Sequence, residues 1–273
     1  METCTLPILQ SDSIHRFDTV NECIYCGSKD QLTDEHIVPF ALGGNFILPR
    51  SSCRSCAAIT SLDERKVLKG FLHNGRIVTN MPTRRKKNRP THLKTMLLDD
   101  NDNVTEVDLP VSESTATIHL PILEPPAFLT GTVFSSSVGV KGIDTIHVGK
   151  HPMEVLSKHN KPGIRFETAI DVNAFLRMIA KIAHAYHVAN LGLFPRSESP
   201  LLPLIFNSSK GLNNWIGSGA NIPENVSRNC GQILWCTYDD IKKVNFTCLK
   251  LFPSQPGGNY ISVTRLPGWA MYS

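Results

Sequence analysis

No apolar run in the chain approaches the roughly 20 residues needed to cross a bilayer, so no transmembrane helix and no membrane partner are expected. Aromatic residues are scarce at 7%, charged residues reach only 19%, and the formal net charge is no more than +4. So weak an excess of positive charge does not by itself indicate nucleic acid; that takes a local basic patch. The opening residues METCTLPILQSDS hold no basic segment and no long apolar stretch, which points away from export and toward the cytoplasm. Internal repeats and low-complexity tracts are missing as well. What remains is an ordinary globular composition, 41% hydrophobic over 273 residues, enough for one large or two modest domains.

Cysteine, by contrast, is plentiful. In a reducing compartment closely paired cysteines read as metal ligands rather than disulfides. The chain has eight, and four of them form two CxxC pairs, Cys23/Cys26 and Cys53/Cys56. A lone CxxC could be chance or a redox dithiol, but two such turns in one short module supply the four thiolates of a tetrahedral Zn²⁺ site. Cys230, Cys236 and Cys248 are irregularly spaced in apolar, strand-like surroundings and are expected to be buried free thiols.

Between the pairs lies LTDEHIVPFALGG. Ile37 and Val38 followed by Pro39 suggest a strand end that turns sharply, and Gly43–Gly44 a loop able to take positive φ. A hairpin feeding a cysteine-bearing helix would make a ββα unit stapled by zinc. The segment CAAITSLDERKVLKGFLHNG is expected to form a short helix or two, with Ile59, Leu62, Val67, Leu68 and Phe71 as apolar positions and Gly75 as the stop.

The segments CIYCG, DEHIVPFALGG and SSCRSCAAI, together spanning Cys23 to Glu64, resemble an HNH (His-Me finger) endonuclease of the four-cysteine type. The resemblance implies a ββα-metal finger with a structural Zn²⁺ and a catalytic Mg²⁺ or Mn²⁺. It makes His36 the general base that takes a proton from the attacking water, and Glu35 a ligand of the catalytic cation. The residue types suit those roles, since imidazole accepts a proton near neutral pH and a carboxylate oxygen suits a hard dication. The family often carries His or Asn just after the last cysteine, where this chain has Ala57. Thr60, Ser61 and Glu64 lie on the same helix face, and Glu64, with Asp63 as its neighbour, is the expected replacement ligand. Leu48 stands where the family has its middle asparagine, and nearby Asn45 is the candidate to orient the His36 loop. His36 as a zinc ligand is the minor alternative, because four thiolates already fill that site.

The run Arg84, Arg85, Lys86, Lys87, Asn88, Arg89 follows closely and is expected to contact the phosphates of DNA; a merely solvated loop is the alternative. A turn and short strand in LDDNDNVTEVDLP mark an expected boundary, giving a finger module over 1–100 and an α+β domain over 101–273. Strands are expected in STATIHLPIL, GTVFSSSVGVKGIDTIHV, GQILWCTYDD, KKVNFTCLKLF and YISVTRLP. FETAIDVNAFLRMIAKIAHAYHVANLG reads as a long helix capped by Asp171 and ended by Gly192. Arg177, Lys181 and His184 form a stripe opposite its apolar face and are expected to be solvated; FLRMIAKIAHAY resembles a segment that follows the finger in some HNH proteins, with no role attached. His184 and His187 lack acidic or thiol partners for a metal. Trp215 and Trp235 are expected in the core.

The leading reading is therefore an α+β protein in which a zinc-stapled nuclease finger hydrolyses DNA phosphodiesters, with defence against foreign DNA as the role the resemblance suggests. A degenerate finger that binds DNA or a partner without cleaving is the second reading, and a zinc-binding adaptor the third. The C-terminal domain would position substrate, regulate, or mediate self-association or docking of a partner protein.

Overall fold

The computed structural model describes residues 9–10, 13–206, 210–219, 221–223, 226 and 231–268; Cys230 lies outside them. The described order begins with β1 (Leu9–Gln10), β2 (His15–Arg16), β3 (Leu32–His36) and β4 (Phe46–Cys53), followed by α1 (Arg54–Lys69) and α2 (His73–Val78). Next come β5 (His92–Leu98), β6 (Val104–Pro110), β7 (Thr115–Leu123), α3 (Ala127–Thr130), β8 (Val140–Gly149), α4 (Pro152–His159) and β9 (Gly163–Arg165). The chain closes with α5 (Val172–Leu191), α6 (Leu202–Ile205), α7 (Leu212–Trp215), β10 (Ile216–Ser218), β11 (Gln232–Asp239), β12 (Val244–Leu251) and β13 (Asn259–Arg265). Helices and mostly antiparallel sheets are mixed throughout, β2 pairing parallel with β4, in the α+β class expected from the sequence.

The finger is the three-stranded sheet β2-β4-β3 with α1 packed beside it, and the closing strands form a five-stranded sheet in the order β1-β11-β12-β13-β10. Two smaller pairings, β6-β5-β9 and β7-β8, flank them. One hydrophobic core runs from the finger, through Ile24, Ile37, Phe46 and Leu72, into Phe175, Ile179 and Tyr186 of α5, and on to Leu249 and Tyr260 of the large sheet.

At the centre of this core sits α5. Asp171 caps it, its carboxylate accepting from the Ala174 N–H at 2.9 Å, and Gly192 ends it with φ +81°, as the sequence leads one to expect. Every residue from Ala174 to Val188 is buried, so the helix has no solvated face over that span. The expectation that Arg177, Lys181 and His184 face water is therefore overturned: all three are buried, and all three face the finger. Arg177 bonds Asp63 of α1 (Nε to Oδ2, 2.9 Å), and His184 Nε2 bonds the Ile24 carbonyl at 2.9 Å while its Nδ1 meets Ser199 Oγ at 3.2 Å. His187 Nδ1 meets Thr264 Oγ1 at 3.0 Å, and neither histidine belongs to a candidate metal cluster among the described residues.

Two consequences can be measured. Replacing Arg177 with Ala strands the half-buried Asp63 carboxylate, with only the more distant Lys66 (3.8 Å) to soften the loss. The expected cost is about 2–3 kcal/mol in urea unfolding, near the lower end for a broken buried pair. Burial also pushes His184 down to about 4 and His187 down to about 3, so both stay neutral in the folded chain while the unfolded chain takes up protons below the ordinary histidine range. The unfolded state then binds more protons, and stability measured by urea unfolding should fall steadily as pH drops from about 6.5 toward 4.

Other details differ from expectation for local reasons. Helix α1 begins at Arg54, with Cys53 as its cap, and stops at Gly70; Gly75 lies inside α2, where an added Cβ would come 2.4 Å from Ile118. Val67, Leu68 and Phe71 are buried as expected, but Ile59 and Leu62 face outward, because α1 turns its Thr60–Glu64 side to the cleft and α5. Trp215, Trp235, Cys236 and Cys248 are all buried, and burial pushes the Cys236 thiol up to about 12, consistent with an inert core thiol.

Candidate active centre

The knuckles come together as the spacing requires. The Sγ atoms of Cys23, Cys26, Cys53 and Cys56 all lie within 4.8 Å of one another, and Cys26 and Cys53 are 3.7 Å apart. A zinc ion with Zn–S bonds of about 2.3 Å has a tetrahedral edge of about 3.8 Å, so this donor set fits a tetrahedral ion such as zinc. Backbone bonds fix the first turn: Gly27 N–H to the Cys23 carbonyl (2.8 Å) closes it, and Ile24 N–H to the Ser51 carbonyl (2.8 Å) ties it to β4. Cys53 doubles as the α1 cap, its sulfur 3.5 Å from Cys56 N.

On the other side of the finger, β3 pairs antiparallel with β4, placing Glu35 opposite Leu48 and His36 opposite Ile47, with a shift of register between Thr33 and Glu35. Such a bulge re-aims the side chains beyond it. Here Asp34 takes up the irregularity, its carboxylate accepting from Arg16 (3.0 Å) and from the Arg50 N–H (3.2 Å), while Glu35 and His36 both border one cleft. Pro39 then starts a short 3-10 turn that Gly43 ends at φ +78°, and at Gly44 a Cβ would lie 2.0 Å from the Val38 carbonyl, so only glycine fits there.

The cleft, about 450 Å³, lies between this strand end and α1 and is bordered by Glu35, His36, Ala57, Glu64, Arg84 and Lys181. Of the three α1 groups beyond Ala57, the Thr60 and Ser61 hydroxyls turn back to their own helix, donating to the Ala57 carbonyl (3.3 Å) and the Ala58 carbonyl (2.8 Å). Glu64 does not. Its Oε1 is 3.0 Å from Lys181 Nζ, and the same ammonium contacts Glu35 Oε1, so one carboxylate from β3 and one from α1 converge on a single point. Lys181 also donates to the His36 and Ile37 carbonyls. Asn45 is not among the residues bordering the cleft, and its backbone carbonyl accepts from the His15 N–H at 2.9 Å.

Electrostatics follow from this crowding. Burial alone would pull the Lys181 ammonium down, but the Glu35 and Glu64 carboxylates more than offset it and hold the group above the usual lysine range. Burial, and after it the Arg84 and Lys181 charges, keep His36 below the ordinary histidine range, so its ring is neutral near pH 7. Its Nδ1 is buried with no hydrogen-bond partner.

A second groove, about 630 Å³, adjoins the first, the two sharing Thr83 and Arg84. Arg65, Lys69, Arg76, Arg84, Arg85 and Arg89 border it, and among the described residues no acidic one does. Lys86 and Lys87 lie in an exposed 3-10 turn beside it rather than along it. Arg89 is spent on the main chain, donating to the carbonyls of Met81 (2.9 Å), Ile77 (3.1 Å) and Arg76 (3.4 Å). Of the five cations singled out in the sequence, Arg84 and Arg85 are thus both exposed and on the groove.

Sequence reasoning missed the three α5 groups that seat the finger. The signal was present: in a helix this apolar, isolated cations with no acid on their own face need partners from another element.

The finger thus carries a four-thiol cluster and, apart from it, a histidine beside two convergent carboxylates, donor sets suited to metal ions. Residues 23–65 match the family model described as HNH endonuclease, and the clustering of their four cysteines agrees with the four-cysteine type of that family. No curated protein and no solved structure matches the chain.

Proposed function

We propose that the protein is a metal-dependent endonuclease that hydrolyses phosphodiester bonds of DNA, with a structural Zn²⁺ in the cysteine cluster. The observation that carries this reading is the convergence of Glu35 and Glu64 next to a neutral His36 at the mouth of a groove bordered only by cations among its charged residues. Mg²⁺ or Mn²⁺ is commonly held by one or two carboxylates, completing its shell with waters and substrate phosphate. Glu35 and Glu64 supply that donor set, and the cleft has room for the rest.

Bound there, the dication would polarise the scissile phosphate and stabilise the leaving oxygen. His36 takes the proton from the attacking water, and its neutral ring makes it a competent base without a further proton loss. Arg84 and Arg85 draw the DNA backbone along the groove toward the cleft. Asn45 steadies the loop behind His36, and Lys86 and Lys87 add long-range attraction. Action on foreign DNA in the cytoplasm, and self-association or docking of a partner through the C-terminal domain, complete the reading. It is preferred to the non-cleaving finger because a helix carboxylate faces the same point as Glu35 despite Ala57.

The test is an Mn²⁺ titration of supercoiled-plasmid conversion by the wild type and by Glu64→Gln. The wild type is expected to nick in Mn²⁺ or Mg²⁺ and not in EDTA, with Glu64→Gln needing more metal for the same rate. An unchanged metal requirement would remove Glu64 from the centre. Separately, Arg84→Ala with Arg85→Ala should weaken DNA binding and reduce the slope of log K against log salt by about 1–2, one counterion contribution per lost phosphate contact.

A further inference from the structure

Lys181 occupies the point on which the two carboxylates converge, and the nuclease reading gives it no role. We propose that Lys181 is a tethered cation that competes with the dication for Glu35 and Glu64, so that the finger is latent until its ammonium is displaced. The biological meaning of this lock rests on the nuclease reading; the competition itself does not.

An ammonium has three N–H donors. Around Lys181 Nζ stand four acceptors: Glu35 Oε1, Glu64 Oε1 at 3.0 Å, the His36 carbonyl, and the Ile37 carbonyl at 3.2 Å. Its donors are exhausted, so it has none for a substrate phosphate, and in this arrangement it is a plug rather than a phosphate ligand. Two carboxylates against one ammonium leave a net negative charge that a dication would neutralise more fully. The two cations cannot share the point, because like charges a few ångströms apart in a buried site repel strongly.

The plug is built into the way α5 seats on the finger. One turn before Lys181, Arg177 grips Asp63 of α1; about one turn after it, His184 holds the Ile24 carbonyl inside the first cysteine turn. Three polar side chains on one stripe therefore fix the ammonium's position, and any loosening of α5 from α1 withdraws it. Arg84 borders both the basic groove and this cleft. A DNA phosphate drawn in beside Arg84 would supply a further oxygen to a dication and nothing to the saturated ammonium. Substrate and dication should thus reinforce each other against Lys181, a coupling that is reciprocal by linkage.

The experiment uses the zinc-loaded full chain and follows Mn²⁺ binding by the electron paramagnetic resonance signal of free Mn²⁺. Lys181→Met should bind Mn²⁺ roughly tenfold or more tightly than the wild type, because a like charge has been removed from the site. Lys181→Arg should stay weak, and adding Glu64→Gln to the Met variant should abolish the gain. Equal affinity in the wild type and the Met variant overturns the proposal. So does the absence of a gain in a Met variant that retains zinc and the wild-type circular dichroism. If the Met variant does not fold, Lys181→Gln, which keeps a donor for the His36 carbonyl, is read by the same criteria. Plasmid cleavage is scored separately: a variant that gains Mn²⁺ but cuts nothing keeps the lock and removes the nuclease reading, whereas wild type that cuts and binds Mn²⁺ as well as the variant does the reverse.

Discussion

Stripping zinc, the ion proposed for the four-cysteine cluster, or replacing Cys56 with Ser, is expected to unfold the finger rather than merely silence it. A structural zinc site contributes about 10–16 kcal/mol of apparent binding free energy near neutral pH, comparable with the entire stability of a typical domain. Here the effect should spread beyond the module. Cys23, Cys53 and Cys56 belong to the same continuous core as α5 and the closing sheet, and His184 bonds directly into the first knuckle. A thermal melt in a strong zinc chelator should therefore show loss of cooperative unfolding for the chain as a whole, with zinc content by mass spectrometry falling in step. A melt unchanged after complete zinc loss would mean that the thiols serve some other purpose.

His36→Ala carries the largest expected effect on activity. General-base catalysis contributes about 10²–10⁴-fold to a rate, so nicking should fall by at least the lower figure while zinc content and stability stay close to wild type. The half-buried ring supports little of the core, its aromatic neighbour among the described residues being Phe40 at 5.8 Å. The pH profile separates a base from a bystander. Because the folded pKa of His36 is lowered, the neutral, proton-accepting form persists below the ordinary histidine range. The acidic limb of the rate should accordingly lie below pH 6.5, and Arg84→Ala, by removing the second contributor to that shift, should move the limb upward. A limb that stays put in Arg84→Ala would break the link between the basic groove and the histidine.

Much of this was legible in sequence because local chemistry dictated it. Two CxxC turns that close on one ion bring the ends of the insert between them together, as the β3–β4 hairpin does, and Gly43–Gly44 tolerates a turn that other residues do not. The long helix announced both ends through Asp171 and Gly192. The α5 stripe misled because helical periodicity separates apolar from polar faces without saying what lies opposite the polar one. Arg177, Lys181 and His184 meet partners more than a hundred residues earlier in the chain. Such long-range pairing leaves no periodic mark. For the same reason Glu64 was reachable by its spacing from Ala57, whereas the ammonium between it and Glu35 was not. In sequence Arg89 is indistinguishable from its cationic neighbours, yet three main-chain carbonyls claim it.

The most direct measurement is the first-order decay of supercoiled plasmid with excess wild-type protein, in Mn²⁺ and in EDTA, beside His36→Ala of equal zinc content. The account predicts decay in Mn²⁺ alone, slowed at least about a hundredfold in the variant. Decay that ignores EDTA, or proceeds equally in His36→Ala, would contradict a metal-dependent centre at Glu35, His36 and Glu64; an intact plasmid retarded on a gel would favour the non-cleaving finger.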